Sequence, residues 1–421
     1  MKYESIKLKY LADMFNGNSI PDDLKSEYEG KEIPYIPTKE LNVEDSTINY
    51  NNGLSVNRGD GFKIAPTNSV LMCIEGGSAG RKIALTDREV AFVNKLCCIS
   101  GVKVDSRYLF HALRSKDFTE QFFLNMTGLI GGVSINVLKN LYVSLPSNKE
   151  TQRKLISILD QKCGKIDELI ANQQAQIEKL KEYKQSVITE AVTKGLDKSA
   201  PMKDSGVEWI GNIPDGWTIQ KVLYQLKMPV TDGPHTTPEL FDNGVAFVSA
   251  EAVSCGNGGI DFNHIRGYVS EEFYQECCLK YIPEIDDVYV IKSGATTGRV
   301  SIVTTLEPKF TIWSPLAVMR TNKDKMLPKF LYYAIQSTHF QRQIALGWSY
   351  GTQQNLGMRT LEQLQLLVPS LEEQRCIIEY LDGNLIKIDR ILAIKQEKIE
   401  KLQEYKKSLI YEYVTGKKKV V

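Results

Sequence analysis

Apolar residues recur at three- and four-residue steps along two long stretches of the chain. The first carries Ile166, Leu169, Ile170, Ile177, Leu180, Val187 and Ala191; the second carries Ile388, Ile391, Leu392, Ile399, Leu402, Leu409 and Tyr413. That spacing puts one apolar stripe on each helix, and the intervening positions are rich in Lys, Glu and Gln, which favour helix. No proline interrupts 147–200 or 370–421. Pro146-Ser147 and Pro369-Ser370 supply helix starts, and Gly195 and Gly416 supply stops. Gly164 and Gly383 predict a bend that divides each stretch into a short and a long segment. The long segment from Lys165 to Thr193 would measure about 43 Å.

The two stretches are copies. "IEKLKEYKQSVITEAVT" begins at Ile177 and "IEKLQEYKKSLIYEYVT" at Ile399, an offset of 222 (399 minus 177); "QRKLISILDQKCGKID" from Gln152 and "QRCIIEYLDGNLIKID" from Gln374 keep the same offset. Weaker similarity precedes them: "VLMCIEGGSAGRKIAL" from Val70 against "VYVIKSGATTGRVSIV" from Val288, and "YLFHALRS" from Tyr108 against "FLYYAIQS" from Phe330. Such self-similarity is the mark of a repeated structural unit. Val, Ile and Tyr-rich runs broken by Gly and Asn read as strands, with one or two helices near the end of each globular segment. The expected class is α+β, with two tandem globular α/β domains, each followed by a long helix. The expected boundaries are 1–147 and 207–369 for the domains, 148–195 and 370–416 for the helices, 196–206 for a linker and 417–421 for a basic tail. Neither apolar stripe is stable in water, and each finds its simplest partner in the other, as an antiparallel coiled coil with internal pseudo-twofold symmetry.

Composition narrows the class. A chain of 421 residues exceeds one ordinary core, and 42% hydrophobic with 24% charged residues is the balance of a soluble globular protein. No apolar run approaches the roughly 18 residues of a membrane helix, and "MKYESIKLKYLADMF" lacks the layout of a signal peptide. The expected location is cytoplasmic. The eight cysteines show no CxxC and no histidine at zinc spacing, so they read as reduced, buried thiols with no metal. A formal charge of +1 confines any nucleic-acid contact to local patches.

Two apparent motifs fail on spacing. In "GGSAGRK" Arg81 follows Gly80 and Ile83 follows Lys82, whereas a P-loop requires Lys and then Ser or Thr after that glycine; a strand–turn–strand is expected there and at "SGATTGRVS". "PDDLKSEYEGK" imitates nuclease carboxylates, but it is a short polar stretch with no counterpart in the second unit. His111, His235, His264 and His339 form no catalytic pairing in sequence. The remaining chemistry is that of recognition. Gln353, Gln354 and Asn355 offer amides that match adenine edges; Arg81, Arg266 and Arg299 match guanine or phosphate; Trp348 and Tyr350 offer stacking surfaces. Ser78, Lys82, His235, Thr236, Thr237, Thr296, Thr297 and Thr352 lie in the same polar loops and complete the candidate DNA-binding set. No catalytic residue and no metal ligand is expected.

With these parts in tandem, the chain resembles the specificity subunits of type I restriction-modification enzymes. The resemblance rests on "WIGNIPDGW", "DGPH", "SGATTGR", "GTQQNL", "VPSLEEQRCIIEYLD" and "IEKLQEYKKSLI". The first unit lacks the Ile-Pro-x-Gly-Trp and DGPH segments. The resemblance implies that each globular domain is a target-recognition domain reading one half of a bipartite site in double-stranded DNA, on helices that act as spacers. It also implies methyltransferase subunits, two of them, and motor-nuclease subunits as partners. S-adenosylmethionine, Mg and ATP then belong to those partners, and no cofactor belongs to this chain. Two further readings stay open: a coiled-coil adaptor between proteins without DNA specificity, and an enzyme whose site the sequence does not display.

Overall fold

The computed structural model describes residues 3–128, 131–207, 210–347 and 355–419. Its two compact units do not follow chain order. One consists of Met1–Ala175 with Lys395–Val421, the other of Gln176–Ile394. Each long helix therefore contributes one part to each unit.

In the first unit, strands β1 (Ala12–Asn16), β3 (Val70–Cys73), β4 (Ile83–Leu85) and β6 (Leu96–Gly101) form an antiparallel sheet in the order β1-β6-β3-β4. Strands β2 (Ile33–Ile36) and β5 (Val90–Phe92) run parallel at the centre of a second sheet. Val70, Leu71, Met72, Cys73 and Val90, Ala91, Phe92 are buried on both faces, which explains why these strands read as continuous apolar runs instead of alternating ones. Leu71, Cys73, Phe92, Leu96 and Cys98 share one core. Burial pushes the adjacent Cys97 and Cys98 thiols up to about 12, in keeping with unreactive packing groups, whereas Cys255 and Cys376 are exposed and depart from the expectation of buried thiols. The nuclease-like stretch carries a short 3-10 segment, Asp22–Tyr28, with no buried residue, and Lys31 pairs with Asp60 at 3.0 Å.

The second unit repeats this plan. Strands β7 (Thr231–Asp232), β9 (Val288–Ile291), β10 (Val300–Ile302) and β12 (Leu316–Met319) form an antiparallel sheet in the order β7-β12-β9-β10. Strands β8 (Val245–Val248) and β11 (Phe310–Ile312) are the parallel pair. Both glycine-rich turns are strand–turn–strand connections, β3 to β4 and β9 to β10, as their spacing predicts.

The long helices are Lys149–Lys194, 46 residues and about 69 Å at the standard rise, and Leu371–Val414, 44 residues. The division into a short and a long helix expected at Gly164 and Gly383 is absent, since both helices run through without interruption. Neither glycine has a neighbour within 4 Å of its would-be Cβ, and good helix formers on both sides absorb the cost of about 1 kcal/mol relative to Ala.

Within the first unit Asp167 pairs with Lys406 and Lys395 donates to Gln173 at 3.3 Å. Numbers rise along one helix as they fall along the other, so the pairing is antiparallel. Within the second unit Lys184 meets Asp389 at 2.6 Å. Adding 222 to Asp167 and Lys184 gives Asp389 and Lys406: the same contact made twice, with the helices exchanging roles. Gln173 and Lys395 are themselves 222 apart (395 minus 173), so the two copies of one position face each other.

Ile166, Ile170, Ile177, Val187, Ala191, Ile388, Ile399 and Leu409 are buried as the stripe predicts, whereas its equivalent members Leu169 and Ile391 are exposed. In the second unit the helices join a core with Phe330, Leu331, Ile335, Phe340 and Ile344. The motif residue Trp217 is buried there and donates its Nε1–H to Glu373 Oε1 at 3.1 Å. Ser370 and Glu373 in turn cap the helix start, with backbone-to-side-chain bonds of 3.2 Å in both directions. "IPDGW" and "SLEEQR" thus meet as parts of the frame.

A candidate nucleic-acid interface

Sheet register gathers the polar loops of the second unit. Asp232 of β7 lies opposite Ala317 of β12, and Ile291 of β9 opposite Leu316. The chain therefore leaves β7, leaves β9 and enters β12 at one end of the sheet. The "DGPH" loop, the "SGATTGR" loop and the residues before β12 emerge together. Ser314 N donates to Pro234 O at 3.2 Å, and Leu356 N to Lys292 O at 2.7 Å, while Asn355 bridges Ser293.

His235, Thr236, Thr237, Arg266, Arg299 and Asn355 are exposed at these loops, with Thr296 and Thr297 half-buried. The Arg266 guanidinium lies 4.0 Å from the centre of the Trp313 ring, a cation–π contact that orients it without consuming its donors. Arg299 donates one Nη1–H bond to Ser254 O at 3.1 Å, and Thr297 Oγ1 donates to Gly294 O at 2.7 Å. Trp348, Tyr350, Thr352, Gln353 and Gln354 lie outside the described residues.

Beneath the exposed groups is a buried carboxylate. Asp232 has no solvent exposure. Lys280 bonds one of its oxygens, and His235 Nε2 and Lys292 Nζ stand 3.1 and 3.2 Å from the other. Burial opposes the charged form, but the Lys280 hydrogen bond and the Lys280 and Lys292 charges outweigh it and hold this carboxyl below the usual carboxylate range. Beside it a cleft of about 220 Å³ opens between the "DGPH" loop and Lys280. Sequence reasoning named His235 and missed Asp232, Lys280 and Lys292. The only available signal was an acidic residue before Gly-Pro at the start of a polar loop.

The first unit builds the same end from other residues. Its β1 and β3 end at Asn16 and Cys73, opposite Cys97 and Leu96. Gly17 follows Asn16 as Gly233 follows Asp232. A Cβ on Gly17 would sit 1.8 Å from Phe92 O, and one on Gly233 2.1 Å from Ile312 O, so only glycine fits at either place. Ile74 holds the place of Lys292: its N–H donates to Lys95 O at 3.0 Å and its O accepts from Val133 N at 2.8 Å, as Lys292 bonds Pro315 O and Leu356 N. The "DGPH" segment thus has a backbone counterpart in Asn16-Gly17-Asn18, which sequence comparison did not find because only the glycine is shared. Ser78 is half-buried and Arg81 exposed in this unit's turn. Lys82 donates to Thr38 O at 3.0 Å and to Lys39 O at 3.4 Å, which turns its head toward the Thr38–Glu40 segment. Among the described residues no cluster of His, Cys, Asp and Glu could hold a metal ion, and no helix is long and apolar enough to cross a membrane.

The sequence profile of the type I restriction modification DNA specificity domain matches residues 1–179 and again 239–404, most of the chain and both units. The chain belongs to the type I restriction-modification DNA specificity family. Two similar relatives in this family come from Methanocaldococcus jannaschii. The type I restriction enzyme MjaVIII specificity subunit is 23% identical over 361 residues, 85% of this chain and 80% of the relative. The putative MjaX specificity subunit is 26% identical over 323 residues, 76% of this chain and 69% of the relative. A solved chain described under complex assembly and conformational transition of a type I restriction-modification system shares the fold with a TM-score of 0.70, at 16% identity and with 98% of each chain covered. Membership in the specificity family agrees with a chain whose two units differ in their exposed loops and agree in their frame.

Proposed function

We propose that each unit of this specificity subunit reads one half of a bipartite site in double-stranded DNA, and that the long helices set the spacer and dock methyltransferase subunits. Methyl transfer, with S-adenosylmethionine, and ATP- and Mg-dependent translocation and cleavage belong to the partner subunits. One observation carries this reading: two copies of one backbone construction are built on different side chains, with exposed His235, Thr236 and Thr237 above buried Asp232 and Lys292 in one unit, and Asn16 and Ile74 in the places of Asp232 and Lys292 in the other. A frame held constant under changing side chains is what two independent readers of base edges require. The test is methylation profiling of a random-sequence DNA library with the full chain and its methyltransferase partner. The expected profile is two defined sequences separated by a nonspecific spacer. A single continuous site, or no sequence preference, would overturn the proposal.

A further inference from the structure

We infer that Asp232 and Lys292 are positioning residues for sequence recognition by the second unit: their buried ion pair fixes the "DGPH" loop against the "SGATTGR" loop and the segment beginning at Asn355. The inference rests on the DNA-reading role proposed above.

Lys292 is the common member of three contacts. Its backbone N–H bonds Pro315 O at 2.8 Å and its carbonyl accepts from Leu356 N at 2.7 Å. Its side chain, 10% exposed, reaches Asp232 at 3.2 Å. One residue thus ties together the loops after β7 and β9, the residues before β12 and the segment at Leu356. The backbone bonds recur at Ile74 in the first unit, but the ion pair does not, since Asn16 and Ile74 stand in its place. The pair is therefore not needed to build the sheet end, and its presence in one unit alone points to a role in placing that unit's side chains. Lys280 and His235, with side chains 49% and 70% exposed, surround the same carboxylate at the surface. A shift of Asp232 would move both of them together with the loop.

The two residues are coupled, because each leaves a buried charge behind when the other is removed. Asp232→Asn strands the Lys292 ammonium, and Lys292→Ile strands part of the Asp232 charge. The double variant recreates the Asn–Ile combination of the first unit and strands neither. The full chain with its methyltransferase partner is profiled on the random DNA library as wild type, as each single variant and as the double, with thermal unfolding recorded alongside. In each single variant, selectivity at one half-site falls by a factor between about 2 and 150, the span of coupling energies for contacting residues. The other half-site keeps its profile, and the double variant recovers most of the loss. Unchanged profiles in both single variants would overturn the inference. So would equal losses at both half-sites that follow the melting temperature, or a double variant whose loss is the sum of the singles. If the wild type itself shows no bipartite profile, the reading beneath the inference fails instead.

Discussion

Arg299 and His111 illustrate two ways in which a single residue matters here. Arg299 is exposed on its turn with one contact to Ser254, which leaves donors for a base edge. Arg299→Ala is expected to relax recognition at one half-site by about 1–3 kcal/mol if the contact is bidentate to a base, and to weaken all sequences evenly if it is to phosphate. Gln353→Ala and Gln354→Ala are expected to act on the same half-site, and methylation profiles of the three variants check this. His111 is buried, its Nε2 lies 2.7 Å from Asp160 Oδ1, and its Nδ1 has no partner among the described residues. Burial pulls this imidazole below the ordinary histidine value, despite the opposing pull of Asp160, and Arg114 and Lys406 push in the same direction as burial. The folded chain thus resists a proton that the unfolded chain accepts. Stability is full above the unfolded value of about 6.5 and declines below it, by up to about 1.4 kcal/mol per pH unit, until the folded value is reached. The equivalent residue in the second unit is Tyr333, which donates to Asp382 at 2.5 Å. His111→Tyr is therefore expected to flatten the decline of melting temperature between pH 6.5 and 5, and an unchanged slope would exclude His111 as its source. The exposure of Arg81, His235, Thr236, Thr237, Arg266, Arg299 and Asn355 was legible in the sequence from residue type and loop chemistry. Lys292 was not, because a lysine at a strand end reads as surface until its partner, 60 positions earlier (292 minus 232), is known.

Helices were the most legible elements, because a 3.6-residue period over more than forty positions leaves no competing pattern. Gly164 and Gly383 misled for the opposite reason, since local propensity says nothing about the strength of a helix on either side. Short strands such as Thr231–Asp232 could not be located from two residues. The pairing of helices, legible as an apolar stripe, gains its register from charges that the stripe does not reveal. Lys406 is buried and pairs with Asp167, and burial, followed by the charge of Arg114, pulls it below the ordinary lysine value. In the second unit the position of Arg114 is taken by Gln336 (114 plus 222). Removal of Asp167 leaves two neighbouring cations without a counter-charge, whereas removal of Asp389 leaves only Lys184, a quarter exposed. Asp167→Ala is expected to cost more than Asp389→Ala, because Lys406 is buried whereas Lys184 keeps contact with water. Urea unfolding of the two variants compares them, and equal losses would show that Arg114 does not contribute to the difference.

For the whole molecule, the repeat was legible because about half the positions from 152 to 193 recur in the second copy. The composition of each compact unit was not, because a repeat that pairs with itself carries no mark of which half belongs with which domain. The antiparallel pairing decides it, and it also dictates how a spacer must be lengthened. Four residues inserted after Gln173 alone would displace Lys184 by about 6 Å along the helix from Asp389 while Asp167 and Lys406 kept their register, so one ion pair would be lost. Four residues inserted after both Gln173 and Lys395, the facing copies of one position, lengthen both helices equally. Each stripe then turns by only about 40°, and both ion pairs are retained. The expected result is an active protein whose nonspecific spacer grows by up to about two base pairs at 3.4 Å per step, with both half-site sequences unchanged. A paired insertion of two residues rotates the stripes by about 200° and is expected to abolish assembly. Methylation profiling reads the outcome directly: a four-residue paired insert that stays active on the original spacing would show that the helices do not set the distance between the half-sites.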